Sequence, residues 1–294
     1  MVSRLSAIGT IYRLAGLLPR TPFDIHAERA NQRGYHNQRD NTHSDIVSDT
    51  IIQDLWQLCP ALRSDLESGR VGYWKNKKIS WGRGRVTDLI VGEPARSEMK
   101  FHRPAISPFD WRGAAADKRN KPNLEALRIV IEHKTVITAH RNRDARHDDL
   151  NNLWQEARDK PRVIVGATVM VGLAERYLNI ADQLHKRYTD DEAFNREIIS
   201  RVKAHDEKLF TDYRVSENKS HEIKATFDKF NTLPRRPKDR SKPGFDVLLL
   251  CPVHYDNVNP ARVVRDNLFG IDVDAEYKRF LGRICSDYTA FWGE

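Results

Sequence analysis

An α/β fold around a central sheet is what this 294-residue sequence predicts, on three observations. Residues 163–171 form a nearly continuous apolar run, the mark of a strand covered on both faces. Residues 128–136 and 245–251 read as two further core strands, the first with polar residues set into it. Between and around these runs, apolar residues recur at helical spacing, and helices mixed with a few apolar strands are the pattern of an α/β domain. The length gives room for one large domain or two ordinary ones. Apolar residues make up 39% and charged residues 31%, which excludes disordered and fibrous classes. No apolar run approaches the roughly 18–20 residues of a membrane span, so no membrane partner is expected.

Each element follows in chain order. Leu5, Ile8, Ile11, Ala15 and Leu18 recur as on an amphipathic helix, a better reading of this basic start than a targeting segment. Residues 19–44, rich in Arg, Asn and His, read as an extended irregular arm, so 1–44 forms an N-terminal helix and basic arm. From Thr42 to Leu58 the period is helical, with Ile46, Ile52, Leu55, Trp56 and Leu58 as the apolar stripe, Ser44 as N-cap and Pro60 near the end. Residues 71–91 read as strands broken by a polar turn near Asn76. Residues 92–127 carry Pro94, Pro104, Pro108, Gly113 and Pro122 and read as a long insertion, a kind of segment that is usually functional. A helix is expected over about 147–158, and two more over about 174–188 and 191–213. Residues 215–243 are charged and proline-containing and read as loop, and about 274–291 closes the chain as a helix. The chain therefore divides into a core at 45–171, containing the 92–127 insertion, and a mostly helical elaboration at 172–294 with one further strand.

The three cysteines, Cys59, Cys251 and Cys285, form no C-x-x-C pair. That argues against a disulfide scaffold or structural zinc site and fits a reducing cytoplasm.

The chemistry-bearing feature is a charged pair on an apolar strand. Strand side chains alternate faces, so Glu132 and Lys134 point one way and His133 the other. A carboxylate and an ammonium two residues apart on a buried strand are costly unless something uses them. A divalent metal on Glu132, with Lys134 near a phosphate or attacking water, is such a use. Asp88, which interrupts the apolar strand around residues 86–91, supplies a second hard oxygen donor, the kind of site Mg²⁺ takes. His133, facing away, reads as a hydrogen-bonded core histidine.

A helix, a strand with Asp, a strand with Glu-x-Lys, then a helix and a further apolar strand resembles the PD-(D/E)xK nuclease superfamily, over about residues 45–171. Asp88, Glu132, His133 and Lys134 carry that resemblance, and Thr87 stands where the motif has Pro. It implies a restriction-endonuclease-like core with a mixed central sheet flanked by helices, plus helical C-terminal elaborations. It also implies Mg²⁺, with Mn²⁺ able to substitute, held by Asp88 and Glu132, while Lys134 assists the nucleophilic water. An additional acid from the first helix is expected at Asp45 or Asp49, and Gln155 is the candidate on the helix after the motif.

A net charge of +8, from 49 Lys and Arg against 41 Asp and Glu, makes a polyanion the first partner to consider. The cations cluster beside the motif strands. Trp74, Lys75, Lys77, Lys78, Arg83 and Arg85 interleave with aromatics just before Asp88, which suits either a nucleic-acid grip or a solvated hairpin with core tryptophans. His140, Arg141, Arg143 and Arg146 follow Lys134 and suit phosphate contacts. Arg33 and Arg39 lie on the N-terminal arm. The expected function is a Mg²⁺-dependent endonuclease of double-stranded DNA, of the type II restriction or phage-defence kind. Cutting both strands calls for two sites, hence a homodimer. The alternatives are a structure-specific or RNA-directed nuclease and a non-catalytic nucleic-acid-binding protein.

Overall fold

In the structure, a computed structural model, the described residues are 20–33, 42–79, 81, 84–95, 121–137, 140–179, 191–204, 206 and 214–293. Their strands are β1 (Gly72–Lys78), β2 (Val86–Pro94), β3 (Pro122–Val136), β4 (Ile164–Gly172), β5 (Arg176–Asn179), β6 (Arg214–Glu217), β7 (Val247–His254) and β8 (Arg262–Val263). The helices are α1 (Pro22–Arg33), α2 (Thr42–Leu58), α3 (Pro60–Glu67), α4 (Arg143–Glu156), α5 (Glu192–Lys203), α6 (Ser220–Asn231) and α7 (Val273–Trp292).

Six strands make one mixed sheet in the order β1-β2-β3-β4-β7-β8, and β5 pairs with β6 apart from it. The first three strands form an antiparallel meander, β3 to β4 and β4 to β7 are parallel, and β8 returns antiparallel. A parallel pair needs a crossover, and α4 provides the one from β3 to β4. Strand β4, at the centre, is buried along its whole length, as its uninterrupted apolar sequence requires. His133 bonds to Ser48 of α2, whereas its neighbour Lys134 pairs with Asp149 of α4. Adjacent strand residues face opposite ways, so α2 and α4 cover opposite faces of the sheet. Helices α1, α3 and α7 pack with α2, and α6 packs with α4, giving three layers.

Four expectations need correction. Residues 22–33 of the supposed irregular arm are helical. Pro22 opens the helix, the Asp24 carboxylate accepts from the Thr21 backbone N–H at 2.7 Å, and Phe23, Ala27 and Ala30 bury a narrow stripe. Residues 220–231 form α6 rather than loop, because Ile223, Phe227 and Phe230 fall on one face. Within 174–188, residues 176–179 form a strand, since they pair with residues 214–217, a partner distant in sequence. Strand β2 extends to Pro94 and β3 starts at Pro122, so both ends of the expected insertion join the meander. The register shifts between Val91 and Gly92, and a Cβ on Gly92 would stand 2.8 Å from the Ala126 carbonyl oxygen. Residues 96–120, the stretch around residues 5–18 expected to be an amphipathic helix, and most of 205–213 lie outside the described residues. Among the described residues no helix is long and apolar enough to cross a membrane.

Candidate active site

The antiparallel register that pairs Leu89 with Ile131 places Asp88 next to Glu132 across β2 and β3. Both point to the α4 face. The Asp88 carboxylate is fixed by the backbone N–H of His133, which donates to its Oδ2 at 2.7 Å. Glu132 is 4% exposed. Its Oε1 accepts from Lys134 Nζ at 2.7 Å, while its Oε2 is buried with no hydrogen-bond partner. Burial, and then the Asp88 charge, push the Glu132 carboxyl up to about 7, against the opposing pull of Lys134 and Arg85. Two carboxylates and a lysine thus meet on one face, with the acids repelling each other.

The back of the site is held by His133. Its Nδ1 lies 2.8 Å from Thr168 Oγ1 of β4 and its Nε2 lies 3.0 Å from Ser48 Oγ of α2. Burial lowers its pKa to about 4, so the ring is neutral and one nitrogen donates while the other accepts. His133 therefore ties three elements together behind the strand that carries Glu132 and Lys134.

Helix α2, which covers the other face of the sheet, pairs both of its candidate acids with side chains of β1 and does not bring them onto the face of Glu132 and Lys134. Asp49 accepts from Lys75 Nζ at 2.7 Å, and burial raises its carboxyl to about 6. Asp45 accepts from Asn76 Nδ2 at 2.9 Å, and Lys75 lies 3.8 Å away. Burial raises the Asp45 pKa against the opposing pull of Lys75 and Asn76, and the Asp88 charge adds a smaller push upward. Asn76 makes its contact from a left-handed backbone, φ 52°, which Asn tolerates.

The other site candidates separate sharply. Gln155 is exposed on α4, with Leu150 and Leu153 forming the buried side of that helix. Asp149 takes the place expected for it, 3.3 Å from Lys134 Nζ, and Glu156 lies 3.8 Å from Arg85 Nε. The sequence held a signal for both: they are seven apart, so they share one flank of α4 beside the buried leucines. Trp74 is 1% exposed and belongs to the core, and its neighbour Tyr73 on the other face is buried too, so this end of β1 is covered on both sides. Lys75 is spent on Asp49, and His140 is buried between Thr226 Oγ1, at 2.7 Å, and the Gly172 carbonyl, at 2.9 Å. These three corrections remove Trp74, Lys75 and His140 from the expected nucleic-acid contacts. Lys77, Lys78, Arg141 and Arg146 are exposed, and Arg143 is half-buried against the His140 carbonyl. Arg83, Arg39 and the side chain of Arg33 lie outside the described residues.

Among the described residues no group of three or more His, Cys, Asp or Glu side chains is arranged to hold a metal ion. The donor set fits a more open site. Asp88 and the unpartnered Oε2 of Glu132 offer two hard oxygens, and Mg²⁺ commonly takes one or two carboxylates with waters and substrate phosphate completing its shell. No protein-family model matches the chain, no curated protein matches it in sequence, and no solved structure matches it.

Proposed function

We propose that this protein is a Mg²⁺-dependent endonuclease hydrolysing phosphodiester bonds of double-stranded DNA, with Asp88, Glu132 and Lys134 as its catalytic residues. One observation carries the reading: Glu132 is buried beside Asp88 with an oxygen left unpartnered and its proton affinity raised. Such an arrangement is costly in the empty protein and is relieved by a cation. Asp88 and Glu132 would hold that cation. When bound, Mg²⁺ supplies a polarised water and neutralises charge growing on the phosphate. Lys134, beside Glu132, stabilises the attacking hydroxide or the phosphate oxygens as their charge develops. The His133 backbone N–H keeps Asp88 aimed while its ring braces β3 from behind.

The meander β1–β3 followed by α4 and parallel β4 supports a restriction-endonuclease-like core, and the proposal extends to the type II restriction or phage-defence class and to a symmetric homodimer that would present one site to each strand. Exposed Lys77, Lys78, Arg141 and Arg146 are the cations available to phosphates beside the site. The test is cleavage of plasmid and phage DNA in Mg²⁺ by the wild type and by Asp88→Ala, Glu132→Ala and Lys134→Ala, with RNA and branched DNA as parallel substrates. The expected result is cleavage of duplex DNA by the wild type alone, with all four proteins folded. Cleavage by any variant at the wild-type rate removes that residue from the mechanism. Preferential cutting of RNA or of branched DNA replaces the substrate.

A further inference from the structure

The ammonium of Lys134 is shared unequally. It stands 2.7 Å from Glu132 Oε1 and 3.3 Å from Asp149 Oδ2. The Glu132 side chain is 5% exposed and that of Asp149 45% exposed, so the two acceptors differ in environment as well as distance. Asp149 also lies 3.7 Å from Arg146 Nη1. Helix α4 is anchored through buried Leu150 and Leu153, so Asp149 is presented from a fixed backbone, whereas Lys134 reaches out on a flexible four-carbon stem.

This geometry has a consequence for a site that must accept a cation. A divalent ion held by Glu132 repels the ammonium beside it, and more strongly than a single unit charge would. Lys134 cannot keep its short bond to Glu132 at full strength while Glu132 engages a divalent ion. It needs a second anion within reach, close enough that the ammonium remains beside the reacting phosphate.

We propose that Asp149 is a positioning residue that receives Lys134 when a divalent cation binds at Glu132. In the metal-free protein Lys134 stands in for the metal, holding one oxygen of Glu132. On metal binding its side chain shifts along the short path toward Asp149 and stays within the site. The inference rests on the metal-dependent nuclease reading. It adds to it a lysine with two positions and a residue on α4 that defines the second.

The experiment is calorimetric titration of the full chain with Mn²⁺ in the absence of nucleic acid. The proteins are wild type, Asp149→Asn, Asp149→Glu, Lys134→Met and Lys134→Met with Asp149→Asn, each checked for its fold by circular dichroism. Asp149→Asn is expected to weaken Mn²⁺ about tenfold, because Lys134 then has no second anchor, and Asp149→Glu is expected to recover most of that loss. Lys134→Met is expected to bind more tightly than wild type, and adding Asp149→Asn to it is expected to change the affinity less than twofold. Such a cycle isolates the coupling between the two residues. The positioning role is overturned if Asp149→Asn leaves Mn²⁺ affinity unchanged. It is equally overturned if the loss is the same with and without Lys134, which would mark a general charge effect. A wild type that binds no Mn²⁺ overturns the nuclease reading together with the inference, and a wild type that binds Mn²⁺ indifferently to Asp149 overturns the inference alone.

Discussion

Strand β3 carries two buried ionic clusters, and they are built on opposite principles. At its bulge, between Leu127 and Ile129, Arg128 is fully engaged. Its Nη1 donates to Asp65 Oδ2 at 2.5 Å and to the Tyr288 hydroxyl oxygen at 2.8 Å, and its Nη2 donates to Glu93 Oε1 at 3.1 Å. Tyr288 in turn donates to Asp65 at 2.7 Å, and the guanidinium stacks 5.2 Å from the Trp292 ring centre. That cluster joins β3 to α3 and α7, with opposite charges matched at short range. A few residues on, Glu132 faces a second acid, Asp88, and keeps an unpartnered buried oxygen. One cluster is closed and serves the fold. The other is left unbalanced by its surroundings, the arrangement on which the proposed metal site rests.

The contrast can be broken from either side. The largest effect is expected at the open cluster, where Asp88→Ala or Glu132→Ala lowers cleavage about 10³-fold or more while both variants remain folded. At the closed cluster, Arg128→Ala leaves Asp65 buried without its cation and costs about 3–5 kcal/mol in urea unfolding. Cleavage per folded molecule is then unchanged. If Arg128→Ala is harmless to stability, the closed cluster does not hold α7 to the sheet.

The histidine behind the site gives a pH signature. Its folded pKa, about 4, lies below the ordinary 6.5, so between those values the unfolded chain binds the extra proton. His133 therefore favours the fold above pH 6.5 and loses that contribution as pH falls toward 4. Relative to His133→Gln, the wild type is expected to lose about 3 kcal/mol across that window, read as the difference between their urea midpoints at several pH values. Glu132 acts with the opposite sign. Its folded carboxyl titrates at about 7 against an ordinary 4.5, so its contribution is present below pH 4.5 and is lost as pH rises through 7. By the same conversion Glu132→Gln gains up to about 3 kcal/mol of stability at pH 8, with the gain vanishing below pH 4.5. A Glu132→Gln protein less stable than wild type at pH 8 would mean that Glu132 is not strained.

What the sequence disclosed was set by which interactions are local. Strand β4 and the alternation in β3 were legible because burial on two faces and on alternating faces leaves its period in the residues themselves. Helices α1 and α6 were hidden by composition. Each buries only a narrow stripe, Phe23 with Ala27 and Ala30, or Ile223 with Phe227 and Phe230, under a highly charged surface. Strand β5 was read as helix because its partner β6 lies far along the chain, and pairing at that distance leaves no local trace. Within the site, the meeting of Asp88 with Glu132 and the turn of His133 to the opposite face of the sheet were readable from strand alternation. The choice of Asp149 over Gln155 turned on the rotation of α4, which Leu150 and Leu153 fix against the sheet, and the seven-residue spacing of Asp149 and Glu156 beside those leucines was its only trace. Trp74 and Lys75 misled for a related reason: a cation beside an aromatic looks the same whether it meets phosphate or, as here, Asp49.

The central claim, that the open cluster on β3 is a metal-dependent phosphodiesterase site, meets its most direct test in one measurement. Supercoiled plasmid DNA is incubated with wild type and with Glu132→Gln in Mg²⁺ and in EDTA, and nicked and linear products are quantified. The account predicts cleavage only by the wild type and only in Mg²⁺. Equal cleavage by both proteins, or cleavage by the wild type that persists in EDTA, would contradict it.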